Sequence, residues 1–224
     1  MGTLVELKRK RTRLQAVTWY GLPLVVVGGW FYPKIGYFLM ACMVGALAVA
    51  LYKGRAWCDW MCPRGSFYDL FLSKISVNRK IPAFFRKTWF RIGMLMLLLS
   101  VLGTQVVLFW GDWDAVGLAM VTLLTVTTSA GIILGIVYQQ RIWCHICPMG
   151  TLSNFMSEGK YPLSIDDDCN SCKACSKVCP MQLTPYEYKP QGVLGDNDCI
   201  KCSTCVAACP KHALHFDADL KKAA

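Results

Sequence analysis

YKGRAWCDWMCPRGS, residues 52–66, is answered by YQQRIWCHICPMGT at residues 138–151. Aligned, the stretches share Tyr52/Tyr138, Arg55/Arg141, Trp57/Trp143, Cys58/Cys144, Cys62/Cys147, Pro63/Pro148, Gly65/Gly150 and Ser66/Thr151. Each copy follows a pair of apolar segments, at 14–31 and 35–52 and at 92–110 and 116–138. Every segment is long enough to cross a hydrocarbon core, which takes roughly 17–25 helical residues. The repeating unit is therefore a helical hairpin, a basic-aromatic collar, a cysteine pair and a short helix. Two helices separate the copies, which returns the second to the same membrane face. The expected repeat is parallel, with its pseudo-axis along the membrane normal.

Composition agrees. Of 224 residues 54% are apolar, and 13 are cysteine, so the chain reads as membrane protein plus a cysteine-rich unit. A soluble chain of this size could not cover four such helices. The basic KRKRTR stretch ahead of the first helix resembles the start of a signal peptide, but no A-x-A-like site follows the long apolar run. An uncleaved anchor is expected instead. Basic residues cluster before the first helix and between the second and third, whereas the opposite face offers Lys34, Asp112 and Asp114. The positive-inside rule puts both termini in the cytoplasm, as a multi-pass protein of the cytoplasmic membrane. The formal charge of +10 comes from the first 160 residues, which carry +11 against −1 in the rest; it reads as topogenic and lipid-facing, with no nucleic-acid partner implied.

After residue 160 come CNSCKACSKVCP and CIKCSTCVAACP. This is C-x2-C-x2-C-x3-C-P twice, the bacterial ferredoxin spacing for two 4Fe-4S clusters, in which the fourth cysteine of each run serves the other cluster. Cys169, Cys172, Cys175 and Cys209 are assigned to one cluster; Cys199, Cys202, Cys205 and Cys179 to the second. Disulfides are disfavoured on a reducing face, and zinc sites usually pair two C-x2-4-C units. The fold expected is an all-α membrane domain of four helices in two parallel-repeat hairpins over residues 1–160. A small α+β ferredoxin domain with two 4Fe-4S clusters occupies 161–224. So small a domain is expected to depend on its clusters for folding as well as for electron transfer.

Taken together, GRAWCDWMCPRG, RIWCHICPMG and the two tail runs resemble the four-helix membrane-bound polyferredoxins of the NapH type, related to NosR and CcoG. The resemblance implies a quinol dehydrogenase or electron relay between the quinone pool and partner redox subunits, of ferredoxin or cytochrome type, in a hetero-oligomeric complex. The alternatives are an electron donor for cofactor or oxidase maturation, or a membrane anchor for a cytoplasmic redox complex. The second cysteine pair departs by one residue, C-x2-C against C-x3-C.

In the membrane half, Cys58, Cys62, Cys144 and Cys147 fall at one depth and suggest one shared site. Iron-sulfur, zinc and reactive thiols all satisfy four thiolates, and the company of two clusters favours a third. Neighbouring Arg55 and Arg141 are expected to favour thiolate. The collar together with the resemblance nominates Arg55, Trp57, Arg141, Trp143 and His145 for quinone contact. Their plainer role is interfacial, with aromatic anchors, headgroup-binding arginines and a solvated or hydrogen-bonded His145. Ser66 and Thr151 read as N-caps, with Asp69 completing a capping box. Phe67, Leu70, Phe71 and Ile75 form an apolar stripe suited to the interface. Cys42 reads as a small buried apolar residue.

Some chemistries are excluded from the expectation. His145, His212 and His215 lie outside the apolar segments, and C-H-I-C is not C-x-x-C-H, so haem is not expected. No nucleotide fingerprint occurs. The apolar cores hold no Asp, Glu, Lys or Arg for ion pumping.

Overall fold

A computed structural model describes residues 2–216. Residues 217–224 of the expected tail domain, and the side chain of Lys8 among the topogenic cations, lie outside the described residues. Four helical spans are long and apolar enough to cross a membrane: Arg9–Phe31, Pro33–Lys53, Thr88–Leu108 and Trp113–Val137.

The first span is built from α1 (Gly2–Thr18) and α2 (Gly21–Phe31). The break at Trp19–Tyr20 follows from Pro23, which has no N–H to return to the Trp19 carbonyl. Helix α3 (Phe38–Lys53) completes the first hairpin. Two short helices follow, α4 (Ala56–Trp60) and α5 (Pro63–Phe71). The second hairpin is α6 (Thr88–Leu108) and α7 (Trp113–Val137), again followed by two short helices, α8 (Trp143–Ile146) and α9 (Pro148–Met156). Asp112 caps α7, accepting from the Asp114 and Ala115 amides at 3.1 Å. Apolar side chains such as Leu24, Val44, Leu97 and Ile133 stand exposed on the spans. Helices apolar all round are those that meet lipid.

The structure corrects the reading of the short helices. Pro63 and Pro148 open α5 and α9, so Cys62 and Cys147 occupy the N-cap positions. A proline suits the first helical position because its missing N–H would have had no partner there. Ser66 and Thr151 are thereby moved a turn inside, their amides donating to the Cys62 and Cys147 carbonyls at 2.9 Å. Asp69 closes no capping box; Arg141 and Arg11 take it instead. The buried face of α5 is Gly65, Ser66 and Tyr68, while Phe71 and, beyond the helix, Ile75 point outward.

In the tail, β1 (Leu163–Ile165) pairs antiparallel with β2 (Leu214–Phe216), Ser164 opposite His215. Between them lie two single-turn helices, α10 (Ala174–Lys177) and α11 (Thr204–Ala208). Leu163, Ile165, Met181, Leu183, Ile200 and Leu214 make the small core, and Cys58 and Cys144 of the membrane half pack against it. The loop between the hairpins also rests on the tail. The Ile81 amide donates to Gln182 Oε1 at 2.9 Å, and Arg86 to the Met181 carbonyl at 2.8 Å.

Candidate functional site

The two tail runs adopt the same backbone. Ser171 and Lys173 in the first, Lys201 and Ser203 in the second, and Gln182 and His212 after each Cys-Pro all have φ between 51° and 63°. Alternating right- and left-handed residues turn successive amides toward a common point, a concavity that holds anions and iron-sulfur clusters. One such cavity is lined by Cys199, Cys202, Cys205 and Cys179, with Met181 and Ile200 among its apolar walls. A second is lined by Cys169, Cys172, Cys175 and Cys209. The crossing expected from spacing is thus present in the cavity walls. The Leu183 amide points at Cys179 Sγ from 3.4 Å. Burial pushes the Cys202 thiol up to about 12, so ligation there requires cations to displace the proton. A 4Fe-4S cluster, which supplies one-electron transfer when bound, suits both donor sets: each has four thiols in a backbone concavity, the first with mostly apolar walls and the second with Lys173 and Lys211 in its wall as cations for an anionic group.

The four membrane-half cysteines also meet. Cys58, Cys62, Cys144 and Cys147 share a cavity of about 180 Å³ that continues between the spans past Leu22, Leu39, Ala46, Leu99 and Leu124. Among the described residues no three His, Cys, Asp or Glu converge tightly enough for a single metal ion. Burial pushes Cys58 up to about 11 although Arg55 and Arg141 oppose it, and Cys62 up to about 12. The arginines act toward thiolate as expected, but desolvation outweighs them.

The arginines face inward, not toward headgroups. Each belongs to one repeat and holds the other. Arg141 Nη1 donates to the Cys58 carbonyl at 2.7 Å, and Arg55 Nη2 to the Cys144 carbonyl at 2.6 Å. The glycine after each Cys-Pro leaves room for this exchange. A Cβ on Gly65 would stand 2.7 Å from Arg141 Nη1, and one on Gly150 would stand 2.8 Å from Arg55 Nη2.

Carboxylates complete the arrangement. Arg141 pairs with Asp69 at 2.6 Å and Asp59 at 3.1 Å, and Arg11 pairs with the same two at 2.6 and 2.7 Å. Gln15 adds a bond to Asp69 at 2.9 Å. Arg55 pairs with Asp198 of the tail at 2.7 Å. Arg91 Nη1 donates to the same carboxylate at 2.9 Å, as does Asn154 Nδ2 at 2.7 Å. Burial alone would raise the Asp198 carboxyl, but the His145 contact and the arginines hold it well below the usual range. His145 is buried with Nδ1 3.3 Å from Asp198, and burial lowers its basicity. It is neither solvated nor in the cavity wall.

Of the residues nominated for quinone contact, Trp57 and Trp143 line the cavity; Arg55, Arg141 and His145 do not. Trp143 is buried rather than an interfacial anchor, while Tyr52 is exposed as an anchor would be. Arg64, which sequence reasoning passed over, is the one charged residue of the described lining; its guanidinium lies 5.6 Å over Trp143 and donates to Thr127 at 3.0 Å. Asp59, Asp198, Arg11 and Arg91 were also passed over as site residues, and Asp69, read as a capping residue, is an arginine partner instead. The available signal was the places where the repeat departs from itself, Asp59 against His145 and Asp69 against Asn154.

Comparison with known proteins gives the class. A 4Fe-4S binding domain family matches residues 35–82 and again 117–163. A 4Fe-4S dicluster domain family matches residues 168–214. The chain is a 4Fe-4S ferredoxin-type electron-transfer protein. Among its relatives are two uncharacterized proteins of Methanocaldococcus jannaschii. MJ0749 is 28% identical over 202 residues, covering 81% of this chain and 79% of its own, and MJ0750 is 28% identical over 158 residues, covering 65% and 66%. The methylamine utilization ferredoxin-type protein MauN of Methylobacillus flagellatus is 25% identical over 155 residues. That match covers 62% of this chain and 54% of MauN, so the chain spans about half of that relative. No solved structure matches.

Proposed function

We propose that this protein is a membrane-bound relay of the NapH kind, moving electrons between the quinone pool and a partner redox protein through three 4Fe-4S centres. Cys58, Cys62, Cys144 and Cys147 hold the membrane-side centre. Cys199, Cys202, Cys205 and Cys179 hold the middle one, and Cys169, Cys172, Cys175 and Cys209 the outer one. The observation that carries the reading is the cavity that begins at the four membrane-half cysteines and runs between apolar helices. A lipophilic ring entering from the bilayer would end beside the cysteines, against Trp57, Trp143 and Arg64. Quinol oxidised there would become quinone, losing two electrons and two protons; the protons would pass to water at the interface, and the clusters these cysteines would hold supply one-electron transfer. The outer set ends at Cys172, which is exposed and suits transfer to a partner. In this reading both termini and all three centres are cytoplasmic.

The test is anaerobic stopped-flow reduction of the purified protein by a short-chain quinol, beside an Ala46→Phe variant that fills the apolar end of the cavity. Quinol reduction should fall at least tenfold in the variant while reduction by dithionite is unchanged. Equal quinol rates would remove the cavity from the pathway and favour the membrane-anchor reading.

A further inference from the structure

Each repeat ends in a buried arginine, and each arginine needs a carboxylate. A guanidinium left unpaired in an interior costs several kcal/mol. The first repeat receives Arg141 of the second and pairs it with Asp59 and Asp69, which lie on α4 and α5. The second repeat lacks both acids. His145 stands where Asp59 would be, and Asn154 where Asp69 would be. The arginine it receives, Arg55 of the first repeat, takes Asp198 instead, and the residues at both positions contact that carboxylate, Asn154 at 2.7 Å and His145 at 3.3 Å. The flanking cations correspond as well: Arg11 on the first span serves one network and Arg91 on the third span the other.

Asp198 is thus a plug from the tail in a socket that the repeat itself has vacated. It immediately precedes Cys199, and Arg55 bridges it to the Cys144 carbonyl. One guanidinium and one carboxylate therefore separate a cysteine of the membrane cavity from a cysteine of the tail. The balance of charge differs between the sockets. Two arginines face two carboxylates in the first, whereas Arg55 and Arg91 share Asp198, and among the described residues Arg55 Nε, Arg91 Nε and His145 Nε2 are buried without a partner. The second socket keeps a surplus of positive charge beside two sets of cysteines whose clusters, with four thiolates each, are anionic.

We propose that Asp198 is a positioning residue: it seats the tail on the second repeat and holds the centre at Cys199 against the one at Cys58, Cys62, Cys144 and Cys147. The electronic part rests on the three-centre reading given above; the docking part does not. A single electron crosses this junction, with no bond made or broken.

The experiment compares intact, anaerobically purified wild type with Asp198→Asn and with Asp198→Asn/Asn154→Asp. The double variant returns to the second repeat the acid that the first repeat has at Asp69, and should restore stability and iron content near wild type. It should not restore docking. Amides of residues 196–205 should exchange with deuterium at least tenfold faster in both variants. The magnetic interaction between reduced centres should weaken, and quinol-driven reduction of the tail should slow at least tenfold. Recovery of docking, magnetic interaction and rate together with stability in the double variant would show that Asp198 only neutralises Arg55, and would overturn the proposal. Unchanged exchange in Asp198→Asn would overturn it too. If wild type is not reduced by quinol, the quinone reading fails on its own, and the exchange measurement still decides the role of Asp198.

Discussion

A methyl group on Gly65 would meet the Cys58 carbonyl at 2.6 Å as well as Arg141, and one on Gly150 would meet the Cys144 carbonyl at 2.8 Å as well as Arg55. Neither neighbour can retreat, because each arginine is buried and bonded to the carbonyl in question. Gly65→Ala and Gly150→Ala should therefore each destabilise the protein by about 1–3 kcal/mol, the usual range for forced overpacking. The measurement is thermal unfolding in detergent, and the two losses should be alike; indifference at either position would show that the crossed arginines do not hold the repeats together. At this scale the sequence was legible where chemistry fixes spacing. Cysteines that surround one cluster must recur at short intervals, so every cysteine outside the spans falls into a group by spacing alone. The charge partners do not, because Arg11 lies 48 positions from Asp59 and Arg55 lies 143 from Asp198. Nothing local marks such pairs, and an arginine beside a membrane reads by default as a headgroup ligand.

Among the elements, α10 and α11 show how a single helical turn serves a cluster site. Each is too short to persist in water unaided, and each follows left-handed residues that a helix would ordinarily avoid. The crossed cavities give this a consequence. Cys179 belongs to the run of α10 but stands in the wall with Cys199, Cys202 and Cys205. Cys179→Ala should thus damage the centre of the α11 run and leave the centre at Cys169, Cys172 and Cys175 largely intact, read by iron content and by the separate signals of the reduced clusters. Loss confined to the α10 centre would mean that each run serves its own cluster. The short membrane-half helices were harder to read. Ser66 with Asp69 fits the local pattern of a capping box, yet Pro63 fixes the helix start three residues earlier. Two correct local rules competed, and the one that constrains the backbone covalently won. The break at Pro23 follows the same logic inside a span whose apolar pattern is continuous.

For the whole molecule the decisive asymmetry is of charge across the four spans. Alkaline phosphatase fused after Gly111 should be active, and fusions at Gly65 or Gly159 inactive, because basic residues gather on the side of the cysteine pairs. The opposite pattern would place every centre outside the cell and undo the relay as drawn. The four spans and the two-part chain were legible because lipid demands long apolar runs and clusters demand cysteines. The seating of the tail was not, since it depends on one carboxylate finding a vacancy made by two substitutions in a distant repeat. The exchange of arginines between repeats also bears on how such a protein is made. The chain leaves the ribosome from the amino end, so the first hairpin and its cysteine pair are complete long before Arg141 exists. Until residue 141 arrives, the Cys58 carbonyl lacks its donor, and until residue 198 arrives Arg55 has no counter-ion. Neither network can close on the first half alone, so the arrangement around the four membrane-half cysteines is complete only once nearly the entire polypeptide has been synthesised.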